Sequence, residues 1–271
     1  MRGLSRQRAK RSLGQNFLID PNLQRKIVAA LGAEPTDEVV EVGPGLGALT
    51  RHLIGTVQRL VLIELDNELA VSWTAEVAGR DDIFVVHGDV LEQPFWQHVQ
   101  TPTEALVVGN IPYNITSPII FRLLERPRPR EIVLMVQREV ADRITAPVGS
   151  KAYGALTVGV RSVATVECLF GVGRRAFRPV PGVDSAVIRI TPLKPDPLVA
   201  ADEQRLRVVV RAVFQWRRKQ LGKILRDHPD LRIPADQLSG VAASVGFELA
   251  HRPEQLSPEA FIRLAAALPS F

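Results

Sequence analysis

Glu38-Val39-Val40-Glu41-Val42-Gly43-Pro44-Gly45-Leu46-Gly47 is the stretch that decides the fold of this chain. Its first five residues form a short valine-rich run, which suits a strand buried on both faces. The glycines that follow let the backbone turn sharply and approach a ligand closely before a helix opens near residue 47, as in nucleotide-binding α/β sheets. A Gly-x-Gly loop alone is weak, because many unrelated turns contain one. What comes after it strengthens the reading. Glu64 closes the next apolar run (residues 60–63), where an acid can accept both ribose hydroxyls of an adenosine. Asp89 closes the run after that (residues 83–86), where a carboxylate can receive an adenine amino group. Suitable groups at three successive strand ends point to an adenosine-containing cofactor.

The loop also discriminates between cofactors. A dinucleotide needs room for its pyrophosphate at the helix N-terminus, usually with G-x-G-x-x-G spacing. Here the spacing is G-x-G-x-G, with Glu41 just ahead of it. A carboxylate there repels phosphate and welcomes the cationic amino-acid end of S-adenosylmethionine. The reading therefore turns toward methyl transfer, with S-adenosylmethionine as the cofactor.

A second informative stretch is Gly109-Asn110-Ile111-Pro112-Tyr113-Asn114, which follows an apolar run at residues 105–108. Pro112 has no N–H for a ladder, so the strand must end there. Asn110 can both accept and donate, and Tyr113 offers a flat face. Together they suit an exocyclic amine on a planar base, although Asn-Pro-Tyr by itself also fits a plain turn.

Further strands are expected at residues 132–136, 163–169 and 186–190. Helices are expected at about 21–32, 47–54, 66–78 and 117–125, with a turn near 92–98. Strand–helix alternation argues for a parallel sheet covered on both faces, and the last two strands, with no clear helix between them, suit an antiparallel edge pair. Pro192, Pro195 and Pro197 then read as a stiff linker. Beyond them the pattern is helical, at about 202–226, 235–246 and 257–267. The expected domains are therefore 1–195, with a basic N-terminal arm, and 196–271.

Composition is ordinary for a globular chain of 271 residues, with 34 basic and 29 acidic residues giving +5. No apolar run is long enough for a membrane helix. Cys168, the one cysteine, reads as a small hydrophobe and suits a reducing compartment. The excess of positive charge is unevenly placed. Arg2, Arg6, Arg8, Lys10 and Arg11 crowd the start, which reads as an arm touching phosphates in preference to a cleaved transit peptide. Residues 202–226 carry eight cations, including Arg217, Arg218, Lys219 and Lys223, against Asp202 and Glu203 near their start, which reads as an RNA-facing helix.

The chain resembles the bacterial small-subunit (16S) rRNA adenine N6,N6-dimethyltransferase family over nearly its whole length. Leu13-Gly14-Gln15-Asn16-Phe17-Leu18 and the Phe177–Val187 segment, with Phe-x-Pro-x-Pro-x-Val-Asp-Ser, carry the resemblance most specifically. The glycine loop, Glu64-Leu65-Asp66, the Asn110–Ile115 segment, Val136–Arg143 and Tyr153-Gly154 extend it. It implies an α/β fold, a Rossmann-like class I methyltransferase sheet with a small C-terminal helical domain. It also implies a cofactor site at Gln15, Asn16, Leu18, Gly43, Gly45, Glu64, Leu65, Asp89, Val90 and Asn110. Asn110 and Tyr113 form the implied target-base site, with Phe177 stacking on the other face of the base. The implied substrate is a pair of adjacent adenosines near the 3′ end of 16S rRNA in the immature small subunit. A cytoplasmic monomer without metal is expected. One position departs from the family: Gly182 stands where a basic residue is usual before Val-Asp-Ser, which removes a possible phosphate contact. The macrolide-resistance methylases of large-subunit rRNA share the Asn-x-Pro-Tyr logic and are the nearest alternative. A dinucleotide-dependent oxidoreductase and a ribosome-assembly factor without catalysis are weaker ones.

Overall fold

A computed structural model describes Ala9, Lys10 and residues 13–268. Arg8 and Arg11, expected in the basic arm, lie outside the described residues, as do Arg2 and Arg6. The chain forms two compact units. The first runs to Ala141 and resumes from Val166 to Pro192; the second takes Asp142–Thr165 and the chain from Leu193 onward. The second unit therefore draws on 142–165 as well as on the chain beyond the proline-rich linker.

In the first unit, β2 (Glu38–Val42), β3 (Arg59–Glu64), β4 (Ile83–His87), β5 (Leu106–Asn110) and β6 (Glu131–Gln137) lie parallel in the order β4-β3-β2-β5-β6. The runs of Val, Ile and Leu in β2, β3, β5 and β6 are buried on both faces, which is what a parallel stretch requires, while the edge strand β4 is mostly half-buried. β9 (Ser185–Pro192) joins β6 antiparallel, and β7 (Ala164–Val172) closes that edge beside β9. A two-residue ribbon, absent from the sequence expectations, pairs β1 (Phe17–Leu18) with β8 (Phe177–Arg178).

Helix α1 (Pro21–Leu31) starts where expected, with Asp20 accepting from the Asn22 and Leu23 N–H groups, and it stops at Gly32 in the left-handed region. Helix α2 (Thr50–Leu53) is a short turn after the glycine loop, while α3 (Asn67–Glu76) is capped by Asp66 and α4 is Thr116–Leu123. Strand order reverses between β2 and β5, with β3 on one side and β6 on the other. In open α/β sheets such a switch point opens a crevice at the carboxyl ends of the strands.

Two helices were not expected: α5 (Arg138–Ile144) and α6 (Ala155–Arg161). The second unit continues with α7 (Ala200–Gln215), α8 (Leu221–Asp227), α9 (Leu238–Val245) and α10 (Pro258–Ala267), whose cap is Ser257. The single helix expected over 202–226 is thus broken at residues 216–220. His228 bridges to Gln215 at 2.9 Å and lies against the Trp216 ring. The first N–H groups of α8, at Leu221 and Gly222, are taken by the carbonyls of His251 and Leu249. These distant partners give the free helix ends somewhere to bond, and the break follows.

Candidate functional site

A cavity of about 320 Å³ opens at the switch point, lined from both sides of the sheet. Its floor is the glycine loop. Gly45 adopts φ +54 with the Phe17 ring close against it, and Gly47 adopts φ +84 with no room for a Cβ, which would lie 2.7 Å from Trp73. The Trp73 indole N–H donates to the Gly45 carbonyl at 2.9 Å. A fully buried tryptophan thus props the loop from below, stabilising it by about 2–3 kcal/mol through burial alone.

Two acids stand beside the loop. Glu41 is 1% exposed. Burial, reinforced by the neighbouring Glu64 carboxylate and offset in part by Thr50, pushes its carboxyl up to about 8. Its Oε2 has no hydrogen-bond partner. A buried carboxylate oxygen without a partner is costly unless a ligand supplies one. Glu64 is held differently, with Oε2 accepting from the Gly45 N–H at 3.0 Å and Oε1 from the Asp66 N–H at 2.9 Å. Burial still raises its carboxyl above the usual range. Farther along, Leu65 is 44% exposed, a flat apolar surface at the mouth. Asp89 is half-buried beside Val90, with Oδ1 fixed by the Leu91 N–H.

The opposite wall is the turn after β5. The Asn110 Nδ2 donates to the Asn16 carbonyl at 2.9 Å, which commits the donor end of the amide. Its Oδ1 accepts from no described residue and remains an acceptor for a ligand. Tyr113 holds its hydroxyl 2.5 Å from the buried Ser185 hydroxyl, and burial raises the phenol above its ordinary value, so it stays protonated. The Pro112 carbonyl already accepts from the Ile115 N–H at 3.3 Å and the Thr116 hydroxyl at 3.2 Å.

Gln15, Asn16 and Leu18 form the third wall. The Gln15 side chain donates to Asp66 at 3.0 Å, and Lys10 reaches Asp66 at 2.7 Å and Glu68 at 3.0 Å. Lys10, expected on RNA, is therefore paired with two carboxylates and ties this segment to the end of β3. The implied cofactor residues Gln15, Asn16, Leu18, Gly43, Gly45, Glu64, Leu65, Asp89, Val90 and Asn110 all line the one cavity, together with Tyr113.

Phe177 does not. It is 1% exposed, opposite Leu18 in the β1–β8 ribbon and within the hydrophobic core. Side chains alternate along a strand, so burying Phe177 turns Arg178 outward. Sequence reasoning also missed Trp73, Ser185 and Asp66 as supports. Only Asp66 left a local signal, as a cap residue ahead of a helix.

The second unit carries a separate cleft of about 380 Å³, lined by Gln215, Trp216, Arg217, Arg218, Lys219 and Lys223. Arg217 to Lys219 lie in the break and not on a helix. Arg217 bonds the Ser150 carbonyl and pairs with Glu254. Arg218, Lys219 and Lys223 are exposed. Among the described residues no group of His, Cys, Asp and Glu could hold a metal ion, and no helix is long and apolar enough to cross a membrane.

A family model described as "Ribosomal RNA adenine dimethylase" matches residues 6–241. The chain is 39% identical over 265 residues to Ribosomal RNA small subunit methyltransferase A of Geobacillus thermodenitrificans, covering 96% of this chain and 90% of that one. Among solved structures, a dimethyladenosine transferase from Plasmodium falciparum superposes with a TM-score of 0.78 at 26% identity, covering 92% of this chain and 95% of that one. The 23S rRNA methyltransferase ErmE superposes at 0.69 with 30% identity, covering 93% and 99%.

Proposed function

The chain belongs to the ribosomal RNA adenine dimethylase family, and from that premise we propose that it dimethylates the N6 amines of two adjacent adenosines near the 3′ end of 16S rRNA. The observation that carries the reading is the single cavity. It joins an S-adenosylmethionine-type wall (Glu41, the glycine loop, Glu64, Asp89) to an amine-accepting wall (Asn110, Tyr113). The orphaned Glu41 oxygen fits the cationic amino-acid end of the cofactor, Glu64 fits the ribose, Leu65 and Val90 fit the adenine faces, and Asp89 fits its amino edge. When bound, S-adenosylmethionine supplies a methyl group made electrophilic by its sulfonium.

The protein's part is placement and polarisation. An adenine N6 lone pair is delocalised into the ring, so the amine is a poor nucleophile. The Asn110 oxygen accepts one N–H and draws it out of plane, localising the lone pair on nitrogen. The Pro112 carbonyl, already engaged by its own turn, is the weaker second acceptor. Tyr113 presents its face to the extruded base, and its hydroxyl, fixed by Ser185, sets the ring plane. Holding the two reactants in line supplies much of the acceleration. No strong general base is needed, because the product ammonium is acidic. The second methylation requires the monomethylated amine to turn within the same pocket.

Arg218, Lys219 and Lys223 support a second phosphate contact in the helical unit. The substrate is an immature small subunit in the cytoplasm, and the enzyme acts as a monomer. The test is methyl transfer from labelled S-adenosylmethionine to unmethylated small subunits, with large subunits in parallel and nucleoside analysis of both. N6,N6-dimethyladenosine in the small-subunit rRNA alone is the expected result. Label in the large subunit alone places the chain with the resistance methylases, and label in neither leaves it an assembly factor.

A further inference from the structure

The segment from Gly173 to Ser185 is tied to the cavity wall at both ends. At one end, Arg178 lies opposite Phe17 in the β1–β8 ribbon, and the Ala176 carbonyl accepts from the Ile19 N–H at 2.8 Å. At the other, Ser185 meets Tyr113. Three arginines on this segment, Arg174, Arg175 and Arg178, are exposed. The side chains of Arg175 and Arg178 have no hydrogen-bond or ion-pair partner among the described residues. Asp184 is the nearby acid, and its Oδ1 accepts the main-chain N–H of Arg174 at 2.9 Å. The Arg174 guanidinium reaches the Gly182 carbonyl at 3.5 Å. Gly182 itself has no side chain and faces open space. Beyond Arg178 on the same segment, Val180 and Val183 are 60% and 46% exposed, apolar surface that a ribose or a base can cover.

We propose that Arg174, Arg175 and Arg178 form a cationic rim that grips the RNA backbone flanking the adenosine in the pocket, with Arg174 supplying in space the charge that Gly182 omits from the loop. The inference rests on the rRNA reading above and adds to it where the catalytic unit itself holds its substrate. The chemistry is electrostatic: guanidinium groups fit phosphate oxygens and stay charged at all working pH values. Anchoring the flanking phosphates helps to hold an extruded base, and the segment that carries the rim is bonded to the cavity wall at Ile19 and at Tyr113. The rim also leaves the cofactor wall untouched, since none of the three arginines lines the cavity.

The experiment measures binding of unmethylated small subunits across a KCl series, with cofactor affinity measured in parallel. It compares the wild type, Arg174→Ala, the pair Arg175→Ala with Arg178→Ala, and Arg174→Ala combined with Gly182→Lys. Each phosphate contact to a single strand contributes about 0.7 to the log–log salt slope. The paired variant is expected to lower that slope by about 1.4 and to weaken binding at least tenfold at low salt, with cofactor affinity unchanged. Gly182→Lys is expected to recover most of what Arg174→Ala loses, because it restores a cation at the same place. Unchanged subunit binding and slope overturn the proposal. So does a parallel loss of cofactor affinity, which marks the arginines as supports of the loop. Failure of the wild type to methylate small subunits is a separate outcome that sinks the functional reading, while the binding series still decides on the rim.

Discussion

The hydroxyl of Tyr113 lies 2.5 Å from the hydroxyl of Ser185, joining the turn after β5 to the start of β9. Ser185 is buried, so this contact fixes the plane in which the Tyr113 ring is presented. On the proposed function, that makes Ser185 a positioning residue for the ring that stacks on the base. Ser185→Ala is expected to lower kcat about tenfold, the equivalent of roughly 1.4 kcal/mol in the barrier. Cofactor affinity should stay unchanged, and Ser185→Thr should recover part of the rate. Single-turnover methylation and equilibrium cofactor binding, measured side by side, check this.

Glu41 gives a pH dependence with a definite sign. Its folded-state carboxyl titrates at about 8 against an ordinary value of 4.5. The folded protein therefore keeps a proton that the unfolded chain has released, and its stability declines as pH rises from about 4.5 to about 8. If Glu41 receives the cationic end of the cofactor, as proposed, binding favours the ionised form and expels that proton. Cofactor affinity should therefore rise by up to tenfold per pH unit between pH 6 and 7.5. Glu41→Gln is expected to flatten both profiles, weakening cofactor binding while raising the melting temperature of the free protein at pH 8. Titration calorimetry in buffers of different ionisation enthalpy counts the released proton directly. Glu41→Gln binding the cofactor with the wild-type pH profile rules the assignment out.

The prop beneath the glycine loop is testable through Gly47. Its φ of +84 and the 2.7 Å approach to Trp73 leave no place for a methyl group. Gly47→Ala is expected to cost about 2 kcal/mol, lowering the melting temperature by about 4–8 °C. Cofactor affinity should fall as well, since the loop is the pocket floor. Trp73→Phe, which removes the bond to the Gly45 carbonyl but keeps most of the bulk, is expected to weaken cofactor binding with a smaller thermal effect.

Lys10 gives a salt-dependent expectation. Its pairing with Asp66 and Glu68 raises the ammonium above its ordinary value and places it on the same Asp66 that holds Gln15, a residue of the cavity wall. Lys10→Met is expected to speed cofactor release several-fold at low ionic strength. The difference should shrink as salt rises, because the pair is partly exposed and screened. Stopped-flow displacement of bound cofactor reads the rate. A difference that persists undiminished at 1 M salt points to packing in place of charge.

The parallel strands were legible because burial on both faces demands continuous apolar runs, and the expected bounds of β2 coincide with those observed. The grouping of Gly43, Gly45, Glu64, Asp89 and Asn110 around one cavity was legible for a related reason: these residues sit at or just beyond strand ends, where sequence order translates directly into spatial order. What escaped was decided by distant partners. Phe177 is placed on the base by the resemblance alone, and its pairing with Leu18 sets it in the hydrophobic core. Lys10 reads as one of a cluster of free cations until Asp66 and Glu68 come within reach. The break after Gln215 depends on His228 and on the carbonyls of Leu249 and His251. Helix α6 carries β-branched Thr157, Val158 and Val160, whose local preference favours a strand.

Asn110→Ala is the most direct test of the central claim, that the amide oxygen at the end of β5 activates the adenine amine. The side chain makes one anchoring bond to Asn16 and, on the proposed function, contributes its oxygen to the reacting base. The variant, assayed in single turnover on unmethylated small subunits, is expected to bind subunits as the wild type does and to bind cofactor within a few-fold of it. Methyl transfer should fall by about 10²–10³, the range for losing one charge-directing group. Near-wild-type dimethylation by this variant would contradict the account, and loss of cofactor binding together with activity would contradict the placement of the base site.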